Sequence, residues 1–188
     1  KVSNTLQIQN ITTPVVVVNC KLGALAIMRS LGEQGISIYG VDADPQAPGL
    51  LSRYCKKRFL YGLDERRPEQ FVEQLLRVGE EIGRQSILIP TSDETAVFVT
   101  EYAEALSRWF KFPNNSPAVL RELISKKGMY ELVGRHGVPT AFTLFPESLA
   151  DVESSMNKVK FPLMLKGIYG NRLQARNKKK MVTVHSPN

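Results

Sequence analysis

Two cysteines, one tryptophan and two histidines are all that the 188 residues hold of the side chains most used for disulfides, metal sites and imidazole chemistry. Cys20 and Cys55 form neither a CxxC pair nor a spaced framework, so they read as free thiols of a reducing compartment. His136 and His185 stand at no metal or triad spacing and are assigned no chemistry; Trp109 follows an apolar helical pattern and reads as core. Long apolar runs are also missing. The first, Pro14 to Val18, is too short for a signal segment or a membrane span, so a cytoplasmic protein without membrane contact is expected. No GxGxxG follows that run, which argues against a nicotinamide dinucleotide, although Asp42 lies about where a ribose-binding acid would stand. Finally, one end lacks acids. Residues 166–188 contain Lys166, Arg172, Arg176, Lys178, Lys179 and Lys180 but no Asp or Glu, which accounts for six of the seven net positive charges. A basic segment confined to one end, with few aromatics on which bases could stack, fits a phosphate site better than a nucleic-acid face, so no nucleic acid partner is expected.

With 43% hydrophobic and 23% charged residues, the chain can bury one full core and begin a second domain. Val15 to Val18 is a continuous β-branched run, the pattern of a strand buried on both faces of a parallel sheet. A helix follows Asn19 to Gly23, with Leu22, Leu25, Ala26 and Leu31 expected on its inner face and Gly32 and Gly35 ending it. Ile36 to Val41 is the next strand. The alternation continues through a short helix at Ala47 to Tyr54, a strand at Arg58 to Tyr61 and a helix opened by Pro68 with Phe71, Val72, Leu75, Leu76 and Ile82 on one face. Ser86 to Pro90 is another strand, and Thr91 to Glu94 has capping-box spacing for the helix after it. Strands alternating with amphipathic helices predict an α/β fold, a Rossmann-like doubly wound parallel sheet.

Ligands of such sheets bind outside the carboxyl ends of the strands, which singles out the loops Asn19 to Gly23, Asp42 to Pro45 and Thr91 to Glu94, with Asp42, Asp44, Thr91, Ser92, Asp93 and Glu94. Each loop has a plainer explanation as well: Asp42 and Asp44 before Pro45 can make an Asx turn, and Thr91 or Ser92 can be an N-cap.

Past Trp109 the character changes. Ser116 and Pro117 read as N-cap and N1 of a short helix ending at Ile124, and a second runs from Lys126 to Arg135 until Gly137-Val-Pro139 stops it. Phe142 to Phe145 reads as a strand and Ser148 to Val159 as a helix, with Ser148 and Asp151 in capping-box spacing. Phe161-Pro-Leu-Met-Leu-Lys166 is an apolar strand, and Met181 to His185 returns as its hairpin partner. The expected division is residues 1–115 and 116–188, the second too small for a core of its own. The turn after Lys166, with Tyr169 and Gly170, can bring backbone N–H groups to an anion; an ordinary hairpin with a basic edge is the alternative.

Three features together resemble the front end of an ATP-grasp enzyme. Ile36-Ser-Ile-Tyr-Gly-Val-Asp-Ala-Asp-Pro45 followed by Ser52-Arg-Tyr54 is similar to the pre-ATP-grasp domain of carbamoyl-phosphate-synthetase-like and amino-acid-ligase-like members. Ser125-Lys126 with Gly137-Val-Pro-Thr140 resembles the family's Asp-Lys, helix, Gly-(Ile/Val)-Pro-Thr, with Ser125 in place of Asp. Phe161 to Lys166 resembles its strand of a hydrophobic residue, Pro, three hydrophobics and Lys. The resemblance implies an incomplete α+β ATP-grasp subdomain after the first sheet, with Lys126 and Lys166 on the phosphates of ATP. It also implies magnesium, with ligands expected beyond residue 188, and an acyl-phosphate route joining a small carboxylate to an amine or ammonia. Under it, Asp42, Asp44, Ser52, Arg53 and the Thr91–Glu94 loop would shape the acceptor site. Arg53 would pair with a carboxylate in bidentate fashion, or be a plain surface arginine. The segment Tyr169 to Ala175 is shorter and poorer in glycine than the family's phosphate-covering loop. No catalytic residue is assigned, a homodimer stays open, and the 188 residues alone are expected to be inactive. The alternative is a non-catalytic nucleotide-binding or regulatory Rossmann-like module.

Overall fold

The computed structural model describes residues 10–113, 115–168, 178–179 and 181–186. The chain divides into two compact units, Lys1–Pro117 and Ala118–Asn188.

The first unit is built around β1 (Val15–Val18), whose four valines are between 0% and 2% exposed. Burying both faces of a strand requires neighbours on both edges and layers above and below. β2 (Ile38–Val41) and β4 (Ser86–Pro90) flank it, with β3 (Cys55–Phe59) and the short β5 (Phe110–Lys111) outside them. The order is β3-β2-β1-β4-β5, and every pairing is parallel. Alternate valines feed two cores. Val15 and Val17 pack with Ala24 and Met28 of α1 (Leu22–Gly32) and with Ile38, Ala47 and Leu50. Val16 and Val18 pack with Phe71, Leu75 and Val78 of α2 (Pro68–Ile82), Phe98 and Val99 of α3 (Asp93–Glu101) and Leu106 of α4 (Ala103–Leu106). This is the expected Rossmann-like α/β sheet. Each fully buried valine contributes about 1.5–3 kcal/mol of transfer free energy, so the strand is the largest local reason for the fold.

Several local expectations shift. The inner face of α1 is Ala24 and Met28, with Ile27 and Leu31 partly buried, whereas Leu22 is 73% exposed and Ala26 is also exposed. The i, i+3, i+4, i+7 stripe runs through a small alanine, which hides it from a count of large apolar residues. Ala47 to Tyr54 is a chain of turns, not a helix. The Gly49 N–H donates to Cys20 O at 2.8 Å and Ser52 N–H to Gly49 O at 3.0 Å, so tertiary and short-range bonds replace the helical ladder. β3 begins at Cys55 and ends at Phe59, earlier than the expected Arg58 to Tyr61. As an edge strand it carries Lys56, Lys57 and Arg58 and a register shift against β2, both of which discourage pairing with another chain.

In the second unit α5 (Pro117–Ile124) and α6 (Lys126–Arg135) are followed by α7 (Leu149–Ser155), a 3-10 turn (Met156–Lys158) and the hairpin β6 (Leu163–Lys166) and β7 (Met181–Val184). The hairpin is antiparallel, pairing Leu163 with Val184 and Lys166 with Met181. No described residue of this unit is buried. Its order comes from local contacts instead: the Ser148–Asp151 capping box of α7, and the Tyr130 and Phe145 rings 5.8 Å apart in edge contact. Phe142 to Phe145 forms no strand, because among the described residues nothing pairs with its backbone; Phe142 is 71% exposed.

Two glycines of the first unit give opposite expectations. A Cβ at Gly79 of α2 would lie 2.4 Å from the Trp109 Cβ, while one at Gly23 in α1 would meet nothing within 4 Å. Gly79→Ala should cost about 1–3 kcal/mol by overpacking, and Gly23→Ala should add about 0.4–1 kcal/mol by restricting the unfolded chain. Urea denaturation of the two variants against the parent measures both signs.

Candidate functional site

In the first unit the chain winds outward from β1 in one direction through β2 and β3, then in the other through β4 and β5. The crevice of such a sheet lies outside the carboxyl ends of β1 and β4, where the winding reverses. Asn19 leaves β1 with φ of 65°, a left-handed turn that asparagine tolerates better than most residues. The next amide, Cys20 N–H, donates to Asp42 Oδ2 at 2.7 Å, and Asp44 N–H donates to Asp42 Oδ1 at 2.9 Å. Lys21 Nζ stands 3.7 Å from Asp42 Oδ1 and 3.2 Å from Asp44 Oδ2. The buried Asp42 carboxylate therefore ties the β1–α1 loop to the turn after β2 and has both oxygens engaged by backbone N–H groups. It is a clamp between loops.

Electrostatics reinforce the clamp. The exposed Asp44 carboxyl is held below the ordinary carboxylate range by the Gln46 N–H and by Lys21. Lys21 is raised, chiefly by its hydrogen bond to Asp44. Cys20 lies beneath, fully buried, its thiol pushed up to about 12 by desolvation, so it is not a nucleophile. Across the crevice the Thr91 hydroxyl donates to Val18 O at 3.1 Å and also to Asn19 O, tying β4 to the end of β1. The cap of α3 is consequently Ser92 and not Thr91: Ser92 Oγ accepts from Thr95 N–H at 3.3 Å and Thr95 replies to the Ser92 amide, a capping box one residue later than the Thr91 to Glu94 spacing suggested. Asp93 and Glu94 occupy the first turn of α3, where acids complement the helix dipole.

Asp42, Asp44, Thr91, Ser92, Asp93 and Glu94 thus share the carboxyl edge of the sheet. Ser52 and Arg53 do not. They immediately precede β3, whose first residue pairs with Ile38 at the start of β2, and the Tyr54 ring fills the space where a Gly32 side chain would stand at the far end of α1. Arg53 donates to Tyr54 Oη at 2.7 Å and lies 4.8 Å from the ring centre. That pair sits at the amino ends of the strands. Lys21 lies in the Asn19–Gly23 loop singled out from the sequence, where it was given no role of its own; its signal was a basic residue at the start of the helix after the first strand, within reach of the turn Asp42 to Asp44.

In the second unit, Ser125 caps α6 by accepting from Gly128 N–H at 3.3 Å, so serine does the capping work of the aspartate it replaces. Lys126 N–H donates to Ile168 O at 3.2 Å, which joins the start of α6 to the segment two residues beyond Lys166. Lys127 is spent on Glu147 at 2.7 Å. Among the described residues neither Lys126 nor Lys166 has a hydrogen-bond or ion-pair partner for its ammonium group. Tyr169 and Gly170, expected to help cover a phosphate, lie outside the described residues. Among the described residues no group of three or more His, Cys, Asp or Glu is placed to hold a metal ion, and no helix is long and apolar enough to cross a membrane.

No protein-family profile and no curated protein sequence matches the chain. Solved structures do match. An ADP complex of N5-carboxyaminoimidazole ribonucleotide synthetase aligns with a TM-score of 0.70 at 11% identity, over 96% of this chain and 44% of its own. The L-amino acid ligase of Bacillus licheniformis aligns with a TM-score of 0.64 at 15% identity, over 95% and 40%. The biotin carboxylase domain of the Hydrogenobacter thermophilus 2-oxoglutarate carboxylase, a dimer holding MgADP and bicarbonate, aligns with a TM-score of 0.64 at 16% identity, over 94% and 38%. The chain shares its fold with part of each of these structures, which are ATP-grasp enzymes. At these identities the likeness concerns the fold, and the chain spans less than half the length of each of these relatives.

The Asp42 clamp is testable by stability. Asp42→Ala leaves the Cys20 and Asp44 amides without their acceptor and should cost about 1.5–3 kcal/mol, the range for hydrogen bonds to a charged group. Asp44 gives a pH signature. Its folded pKa is depressed, so its contribution is present above the ordinary Asp range, about 3.9, and is lost as pH falls through the lower folded value. Asp44→Asn should flatten that part of the acid limb; an acid unfolding profile that retained the parent's slope would show that Asp44 contributes nothing there.

Proposed function

We propose that this chain is the amino-terminal portion of an ATP-dependent ligase that activates a small carboxylate as an acyl phosphate and joins it to an amine or ammonia. On this reading the first unit, a pre-ATP-grasp domain, shapes the acceptor site at the carboxyl edge of its sheet. The second unit begins the ATP-grasp domain and supplies Lys126 and Lys166 to the nucleotide phosphates. Support comes from the ADP-bearing relatives of the same fold and from chemistry local to the second unit. The observation that carries the reading is the bond from Lys126 N–H to Ile168 O. It ties two lysines, one at a helix start and one at a strand end, to a single backbone junction while leaving both ammonium groups without protein partners among the described residues. Two such point charges can neutralise a polyphosphate and follow a phosphoryl group as it moves.

ATP fits this donor set, since its phosphates are the acceptors that the two ammonium groups lack among the described residues. When bound with the nucleotide, magnesium would supply further neutralisation of phosphate charge. The described residues provide no cluster for it, so no role in holding it is assigned to them. Exposed Lys178 on the return segment is a useful control, being of the same charge but not tied to the α6 junction. Removing one charge-assisted contact costs about 1.5–3 kcal/mol, so in the full-length protein Lys166→Met should weaken ATP binding roughly ten- to a hundredfold. Lys178→Met should do much less. Calorimetric titration with ATP, at unchanged melting temperature, reads the comparison; equal small losses from both variants would reduce the basic segment to a diffuse field and remove the lysine assignment.

A further inference from the structure

α6 opens with two consecutive lysines that are treated differently. Lys127 is held by Glu147, whereas Lys126 is engaged through its backbone and not its ammonium. A helix leaves its first four N–H groups without acceptors inside the helix. Here the Lys126 N–H finds Ile168 O at 3.2 Å, and the Gly128 N–H finds Ser125 Oγ at 3.3 Å. The turn from α5 into α6 closes tightly at the same place: a Cβ at Gly128 would lie 2.8 Å from Glu122 O and 3.0 Å from Glu122 Cα. Position 128 therefore has to be glycine for the first turn of α6 to lie against the end of α5 as it does.

We infer that Ser125 is a positioning residue for Lys126, with Gly128 supplying the space: the serine hydroxyl fixes the first turn of α6 so that the Lys126 amide meets the Ile168 carbonyl. Fixing that amide sets the point from which the Lys126 side chain departs relative to Lys166, two residues before Ile168 on the neighbouring segment. Lysine side chains are long and flexible, so the anchoring of their Cα atoms decides whether two of them converge on one polyphosphate. The inference rests on the proposal that Lys126 and Lys166 hold phosphates, but the placement of the Lys126 amide can be measured without any ligand.

The test uses the 188-residue chain with Ser125→Ala and Ser125→Asp. Amide hydrogen exchange, followed by NMR without nucleotide, should show the Lys126 amide exchanging roughly five- to tenfold faster in Ser125→Ala, the size of a lost N-cap. Ser125→Asp, which keeps a capping oxygen, should restore it, and the β1 amides should be unchanged in both variants. ATP titration of the full-length protein should then show a several-fold loss in Ser125→Ala, recovered in Ser125→Asp and absent when Lys126 is already methionine. An unchanged Lys126 amide in Ser125→Ala overturns the inference whatever the nucleotide does. So does an undiminished ATP affinity in Ser125→Ala if Lys126→Met itself weakens binding, or an equal loss from Ser125→Ala in the Lys126→Met background. If neither Lys126→Met nor Lys166→Met affects ATP, the phosphate reading fails, and the exchange result alone decides whether Ser125 positions the Lys126 amide.

Discussion

Four adjacent valines with no polar residue between them cannot lie on the surface of a sheet with one wet face. Complete burial of Val15 to Val18 forces a neighbouring strand on each edge of β1 and an apolar layer on each face. Alternation then assigns Val15 and Val17 to the α1 side and Val16 and Val18 to the side of α2, α3 and α4. Because the chain leaves β1 toward β2 and returns to its other edge as β4, the loops after β1 and β4 must diverge, and a crevice opens between them. The position of the candidate acceptor edge is in this sense a consequence of the valine run. What the edge can bind is set separately, by Asn19, Lys21, Asp42, Asp44 and the Thr91–Glu94 loop.

How those loops are held shows why identity and role have to be argued separately. Asp42 stands where an acid could meet a ribose, yet its two oxygens serve the Cys20 and Asp44 amides. Thr91 stands where an N-cap could be, yet its hydroxyl secures the end of β1 and leaves capping to Ser92. In both cases a buried or half-buried backbone group needed a partner, and the nearest polar side chain supplied it. The residues left to face an incoming ligand are the more exposed ones, Asp44 and Asp93 among them.

The sequence made the large elements legible where periodicity was strong. The β-branched β1, the amphipathic α2 behind its N1 proline, β4, and the β6–β7 hairpin stand where pattern placed them. It failed where tertiary contacts outvote local preference. Ala47 to Tyr54 was expected as a helix, but Pro48-Gly49 marks a turn, the Gly49 amide is claimed by Cys20 O, and the segment has to carry the chain from the carboxyl end of β2 to the amino end of β3. That geometry also separates Ser52 and Arg53 from Asp42 and Asp44, although all four lie within a dozen residues. Phe142 to Phe145 has strand character and no strand beside it, since a β ladder is a property of two segments and a propensity belongs to one. The choice between Lys126 and Lys127 was legible only through resemblance; the structure adds a physical difference, because among the described residues Lys127 pairs with Glu147 and Lys126 has no acid partner.

The two units specify position by different means, and this bears on what each can do. In the first, burial fixes the strands, and the loops inherit that rigidity through the Asp42 clamp and the Thr91 tie. In the second, no described side chain is buried, so position depends on caps, on the Lys127–Glu147 and Arg135–Glu122 ion pairs, and on the Lys126 amide bond. Exposed ion pairs contribute about 1 kcal/mol or less each, and a backbone bond open to water is of similar size, so such an arrangement opens locally at small cost. The hydrogen bond between the start of α6 and the segment after β6 ties the backbone at one point, while among the described residues the Lys126 and Lys166 ammonium groups have no partner.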